Sequence, residues 1–97
     1  MLGMEIRGLH LLEDFKQSHA DCRGALDSWR KEVEKARWAN SHEIKQRYAS
    51  ANFLSESRVV FNLKGNRYRL ALEVAYTRGV VLIVWVGTHA EYDKKKF

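Results

Sequence analysis

The stretch GTHAEYDKK, Gly87 to Lys95, follows the most apolar run of the chain, VVLIVWV, and carries a histidine, a tyrosine, two carboxylates and the start of a lysine triplet. Upstream, FNLKGNRYRL places Asn62, Lys64, Arg67 and Arg69 close together. These are the residue types that phosphodiester chemistry uses. Cleaving RNA needs a base for the 2′-hydroxyl, cationic donors for the charge that builds on the phosphorane, and an acid for the departing 5′-oxygen. A histidine with a pKa near about 6.5 suits acid or base work. A guanidinium offers phosphate a planar fork of donors. Tyr92 adds a hydroxyl, or a ring on which a base can stack.

These residues act together only if the chain brings them together, and the change of hydrophobic period after Ser57 says how. RVVFNLKGNRYRLALEVAY holds two alternating runs around Gly65-Asn66, a pair suited to a two-residue type II′ hairpin turn with glycine first. That turn sets partners to sum to 131: Lys64 with Arg67, Asn62 with Arg69, Arg58 with Glu73. Val59, Phe61, Leu63, Tyr68, Leu70 and Leu72 then form a core face, opposite a polar and basic one. A three-residue turn at Thr77-Arg78-Gly79 would pair the next strand so that partners sum to 156, with Arg69 opposite Gly87 and Arg67 opposite His89. A two-residue loop would reverse its faces. Val80 to Val86 is apolar at both parities and reads as a strand covered on both faces. With strands about 4.8 Å apart, Asn62, Lys64, Arg67, Arg69 and His89 would converge from one side of three strands on something the size of a phosphodiester.

Before Ser57 the pattern is helical. Met4 to Arg7 can be a strand, followed by a helix with Leu11, Leu12 and Phe15 on one side. Ser18 with Asp21 resembles a capping box that would open a second helix, whose stripe is Cys22, Leu26, Trp29, Val33 and Ala36. Asn40 or Ser41 can cap a third helix holding Ile44 and Tyr48, and Ser50 to Ser57 reads as loop.

Composition bounds the rest. A chain of 97 residues, 45% hydrophobic, is one domain, residues 1–97, with a single core. Its longest apolar run has seven residues, against about 20 for a membrane-spanning helix. The first residues lack the apolar core of a secretory signal, and the lone Cys22 can form no intramolecular disulfide, so the expected setting is cytoplasmic. Residues 1–57 hold nine basic and nine acidic side chains, whereas residues 58–97 hold eight basic and three acidic, which is the entire net charge of +5. A field of one sign gathered on one part of a small domain attracts polyanions.

Each feature also has a plainer reading. Rows of Arg, Lys and Asn across strands are commonly the solvated face of a sheet, a histidine at a strand end is commonly a cap, and terminal lysines are commonly a solvated tail. His89, Glu91 and Asp93 at alternate positions sit amid concentrated positive charge with no second histidine nearby, an unfavourable metal site; no cofactor is expected. His10, His19 and His42 are scattered, and Trp29, Trp38 and Trp85 read as core, although Trp85 shares a parity with His89. Neither a Ser/His/Asp system nor a glycine-rich phosphate loop is present.

VVFNLKGNRYRLALEVAY and GVVLIVWVGTHAEYDK, with SWRKEVEKARW and Ser50-Ala51-Asn52-Phe53 upstream, resemble the HigB-type toxins of the RelE/ParE superfamily of type II toxin–antitoxin systems, over nearly the whole chain. The resemblance implies an α+β fold, a RelE-like compact single domain with N-terminal helices packed on a twisted, mainly antiparallel sheet. It implies a ribosome-dependent mRNA interferase, a metal-independent endoribonuclease that cuts translated mRNA in the A site of the 70S ribosome. The YRL element, matching Arg69, would contact the scissile phosphate, and the THxEYD element, matching Thr88, His89, Glu91, Tyr92 and Asp93, would supply the acid/base groups, with His89, Tyr92 and Asp93 the catalytic candidates. Asn62, Lys64, Arg67, Lys94 and Lys95 would bind RNA. A helix-turn-helix, HigA-like antitoxin is the implied partner, in a heterotetramer or similar assembly. Ala20, His42 and Ala49 stand where relatives carry prolines, and Val84 where they carry an arginine. A ParE-like inhibitor of DNA gyrase and a non-catalytic RNA-binding module are the alternatives on the same residues.

Overall fold

The computed structural model describes residues 3–95. Its elements are β1 (Glu5–Arg7), α1 (Leu9–Ser18), α2 (Arg23–Lys35), α3 (Ser41–Arg47), β2 (Asn52–Phe53), β3 (Arg58–Leu63), β4 (Tyr68–Ala75), β5 (Val80–Thr88) and α4 (His89–Lys94), with a 3-10 turn at Ala20–Cys22 between α1 and α2. The sheet order is β1-β5-β4-β3-β2. Among the described residues only β1–β5 is parallel; every other pairing is antiparallel. This is the expected α+β architecture.

Helix α2 forms where the sequence stripe runs, and it buries Leu26, Trp29 and Val33. These side chains join Leu12 of α1 and Ile44 of α3 against Val59, Phe61, Leu63, Tyr68, Leu70 and Leu72 of the hairpin and Val81 and Ile83 of β5. The hairpin therefore turns its expected face to the core. Glycine leads the turn with φ 66, the amide of Arg67 donates to the carbonyl of Lys64, and the 131 register holds from Arg58↔Glu73 to Leu63↔Tyr68. Asn40 caps α3 by accepting from the amide of Glu43. Asn52–Phe53, inside the expected loop, forms a two-residue edge strand on β3.

Three expectations are corrected. Ser18 and Asp21 form no capping box: α1 ends at His19, and α2 starts without a side-chain cap after the 3-10 turn. Ser18 Oγ instead donates back to the carbonyl of Phe15 at 3.4 Å. Second, β5 is not covered on both faces. Val81 and Ile83 are buried, but Leu82 between them is 46% exposed, because α1, α2 and α3 pack on the other face. The opposite face is nevertheless less polar than expected at its centre, where Val60 and Ala71 are buried.

Third, the β4–β5 connection is longer than three residues. Ala75 pairs with Val80, and Tyr76–Gly79 forms the turn, closed by the amide of Gly79 donating to the carbonyl of Ala75 at 2.9 Å. Partners sum to 155 beside the turn and to 156 beyond it, because the register shifts between Ala71↔Trp85 and Leu72↔Ile83. Val84 is the extra residue, a β-bulge. The bulge restores the register expected at the far end, so Arg69 faces Gly87 after all.

Coverage of one face only sets the expected cost of truncation. Leu72→Ala, on the covered face, should lower unfolding free energy by about 2–5 kcal/mol. Leu82→Ala, on the open face, should change it by less than about 0.5 kcal/mol. Urea denaturation of both variants checks this.

Candidate active site

The far end of the β4–β5 pair carries the candidate residues. Strand β5 runs through Thr88, and His89 opens a helix, so GTHAEYDKK is a helix start and not a strand exit. Thr88 Oγ1 accepts from the amide of Glu91 at 3.1 Å, and Glu91 Oε1 accepts from the amide of Thr88 at 2.8 Å. This reciprocal cap is the T-x-x-E signature that Thr88-His89-Ala90-Glu91 carries in plain view. Sequence reasoning passed over it. The amide of His89 donates to the carbonyl of Arg67 at 2.8 Å, which ties the helix start to β4.

Helical geometry then decides which of the ionisable residues meet. His89, Tyr92 and Asp93 fall at i, i+3 and i+4, on one helix face. His89 Nε2 lies 3.3 Å from Asp93 Oδ2. Glu91 points elsewhere, committed to the cap, so the alternate spacing of His89, Glu91 and Asp93 does not gather three ligands. Among the described residues no group of three His, Cys, Asp or Glu could hold a metal ion.

The helix folds over the open face of the sheet at the Gly87 row. A Cβ on Gly87 would lie 2.5 Å from the Trp85 ring and 2.9 Å from Glu91 Oε1, so glycine is what permits that approach. Trp85 and Tyr92 rings are 5.9 Å apart. The Arg69 guanidinium carbon stands 5.8 Å from the centroid of the Tyr92 ring, within cation–π range. Arg69 donates to the carbonyls of Asn66, at 3.1 Å, and Tyr68, at 3.5 Å. Among the described residues it pairs with no carboxylate, whereas Arg7, Arg30, Arg47, Arg58 and Arg67 each do. Its charge is therefore available to an anion. Trp85, read first as core, belongs to this cluster.

The other expected convergences do not occur. Arg67 turns toward the helical side, where Nη1 donates to Asp21 Oδ2 at 3.0 Å. Lys64 lies on that side too, since its charge acts on Asp21 and Cys22. Asn62 donates its amide to the carbonyl of Ser50 at 3.1 Å. Lys94 closes α4, Lys95 follows it, and Lys96 lies outside the described residues. Five tips expected on one side thus become Arg69 and the His89 helix, with Trp85 and Tyr92 between strand and helix.

Asp21 is the residue whose placement no local pattern suggested. Besides Arg67, it accepts from the buried phenol of Tyr68 at 2.7 Å. That hydrogen bond is the main reason its carboxyl is held below the ordinary value of 3.8, with the positive charge of Arg67 adding to it. The same bond is the main cause that raises the Tyr68 phenol. His19, scattered in sequence, stacks on Phe15 at 3.9 Å and meets the edge of Tyr68 at 5.7 Å. Tyr68 is thereby fixed from two sides.

A family model described as "HigB_toxin, RelE-like toxic component of a toxin-antitoxin system" matches residues 22–95. No curated protein matches the chain.

Two outcomes follow from this geometry. Gly87→Ala should displace the Trp85 indole, seen as a shift of its N–H resonance in NMR together with the amides of Thr88 and Glu91, while Leu70 and Leu72 stay in place. Because the Asp21 pKa is depressed on folding, its contribution to stability is present above its unfolded value and is lost as pH falls through the folded one. Asp21→Asn should therefore be less stable than the parent at neutral pH, with the gap closing below about pH 4 in denaturation midpoints measured against pH.

Proposed function

Since the chain belongs to the RelE-like HigB toxins of toxin–antitoxin systems, with an antitoxin as its partner, we propose that it is an endoribonuclease that cuts translated mRNA in the ribosomal A site and so stops translation. The observation that carries this reading is the guanidinium of Arg69, paired with no carboxylate among the described residues, beside Tyr92, on the helix whose same face bears His89 and Asp93.

In this mechanism Arg69 meets the scissile phosphate and offsets the charge of the phosphorane, where a preorganised donor acts most strongly. His89 moves the proton, either from the 2′-hydroxyl or to the departing 5′-oxygen, and the product end is a 2′,3′-cyclic phosphate. Asp93 Oδ2, 3.3 Å from Nε2, holds the ring in place. Tyr92 offers its ring or hydroxyl to a neighbouring nucleotide. Lys94 and Lys95 draw the RNA backbone toward this cluster, and Lys64 and Asn62, turned away from it, reach RNA only along the hairpin end. Arg67, engaged with Asp21, reaches phosphate only by exchanging that partner. The reaction takes place in the cytoplasm on the 70S ribosome, and the antitoxin is of the helix-turn-helix, HigA-like kind.

The ParE-like alternative would bind gyrase through a protein surface and has no need of a histidine on the helix that meets Arg69. The RNA-binding alternative would bind with steep salt dependence and cut nothing.

His89→Ala and Arg69→Ala should each slow cleavage by about 100-fold or more. Primer extension on mRNA from a reconstituted translation reaction reads this. Parent-like cutting by both variants would remove these residues from the mechanism, and intact mRNA with broken DNA would favour the gyrase reading.

A further inference from the structure

We infer that Asp21 is a positioning residue for the proposed cleavage site, holding β4 so that Arg69 and the start of the His89 helix keep their relative placement. The inference rests on the nuclease reading for its consequence and on geometry for its content.

The 3-10 turn at Ala20–Cys22 delivers one carboxylate to two consecutive residues, 46 and 47 positions away. Asp21 Oδ2 accepts from Arg67 Nη1 at 3.0 Å, and Asp21 Oδ1 from Tyr68 Oη at 2.7 Å. Those two residues are the ones that hold the helix start. Tyr68 is the register partner of Thr88, the N-cap, and the carbonyl of Arg67 accepts from the amide of His89 at 2.8 Å. The next residue along β4 is Arg69, opposite Gly87. Thus a single carboxylate on the helical side sets the backbone from which both proposed reacting groups project on the open side.

The bland explanation is that Asp21 only adds stability. An ion pair with side chains 67% and 43% exposed contributes little of that. The pairing also consumes Arg67, a cation at the edge of the site, which is a poor use of charge for a surface contact. Rigid placement of reacting groups, by contrast, depends on supporting contacts one shell away.

The test uses the full chain with Asp21→Ala, Asp21→Asn and Tyr68→Phe. Asp21→Asn keeps an acceptor for the phenol and removes the ion pair, so it serves if Asp21→Ala folds poorly. Two readouts are taken. The first is amide hydrogen exchange: in the Asp21 variants the His89 amide should speed up by a larger factor than the amides of the β3–β4 ladder, whose rates report the loss of overall stability. The second is single-turnover cleavage on programmed ribosomes. The maximal rate should fall by about 10- to 100-fold, the scale of a small misplacement of reacting groups, with the half-saturating toxin concentration within about twofold of the parent. A purely stabilising role would speed exchange by the same factor at His89 and in the ladder, and would leave the maximal rate at the parent value once the folded fraction is equal.

Parent-like exchange at His89 in both Asp21 variants would overturn the inference, as would a parent-like maximal rate at equal folded fraction. A parent that cuts no mRNA would sink the nuclease reading instead, and the exchange data would still decide whether Asp21 holds the helix start.

Discussion

The pairing of β4 with β5 that sets Arg69 opposite Gly87 is the constraint on which the rest of the molecule's chemistry depends. It follows from parity. Leu70 and Leu72 must be buried under the helices, so Arg69 between them and Tyr68 must project from the other face. Gly87, lacking a side chain, then leaves the space into which the Trp85 ring and the Glu91 carboxylate move. The closing helix can lie down only over that gap, and it brings Tyr92 to Arg69. The bulge at Val84 is what keeps this pairing compatible with a four-residue turn at the other end. Where relatives were expected to carry an arginine, a valine occupies the bulge and leaves the strand's middle apolar.

The distribution of charge completes the site by exclusion. Carboxylates neutralise most of the arginines that face the open side or its edges: Glu73 takes Arg58, with Ser57 donating to the same carboxylate, and Glu5 takes Arg7. Asp21 takes Arg67. Arg69 donates to carbonyl oxygens and stands by the Tyr92 ring, contacts that orient a guanidinium without cancelling its charge. Of the basic field spread over residues 58–97, a guanidinium and a histidine-bearing helix stand at one end of the sheet, with Lys94 and Lys95 beside them. For a toxin held in check by a partner protein, such a cluster is a compact functional target on a small domain.

Some of this was legible before any coordinates, and the reasons differ by element. The register and the core face of the β3–β4 hairpin could be read, because a Gly-Asn turn sets the one and alternation sets the other. The β4–β5 register was right at the site and wrong at the turn: a run of seven residues apolar at both parities carries no alternation from which a bulge could be located. The capping box at Ser18 failed because His19 leaves the helical region and the chain tightens into a 3-10 turn, which frees Asp21 for partners on the sheet. The capping box at Thr88 was equally present in the sequence, yet attention to the strand hid it. Arg67 was placed on the basic face by parity alone; it sits in the turn, where alternation no longer applies, and the nearest carboxylate lies on the helical side.

By itself the sequence determined the class of the fold, the core face of the hairpin, and the cluster of cationic and titratable residues toward the carboxyl end. These are properties of short-range period, turn chemistry and local charge, which neighbouring residues specify without help. Only the tertiary structure decided that His89, Tyr92 and Asp93 share a helix face, that Trp85 joins them over Gly87, and that Asp21 reaches across to Arg67 and Tyr68. Those depend on a helix laid over a strand and on contacts between residues far apart in the chain. No local pattern records such contacts, because their energy exists only once the sheet has closed against the helices.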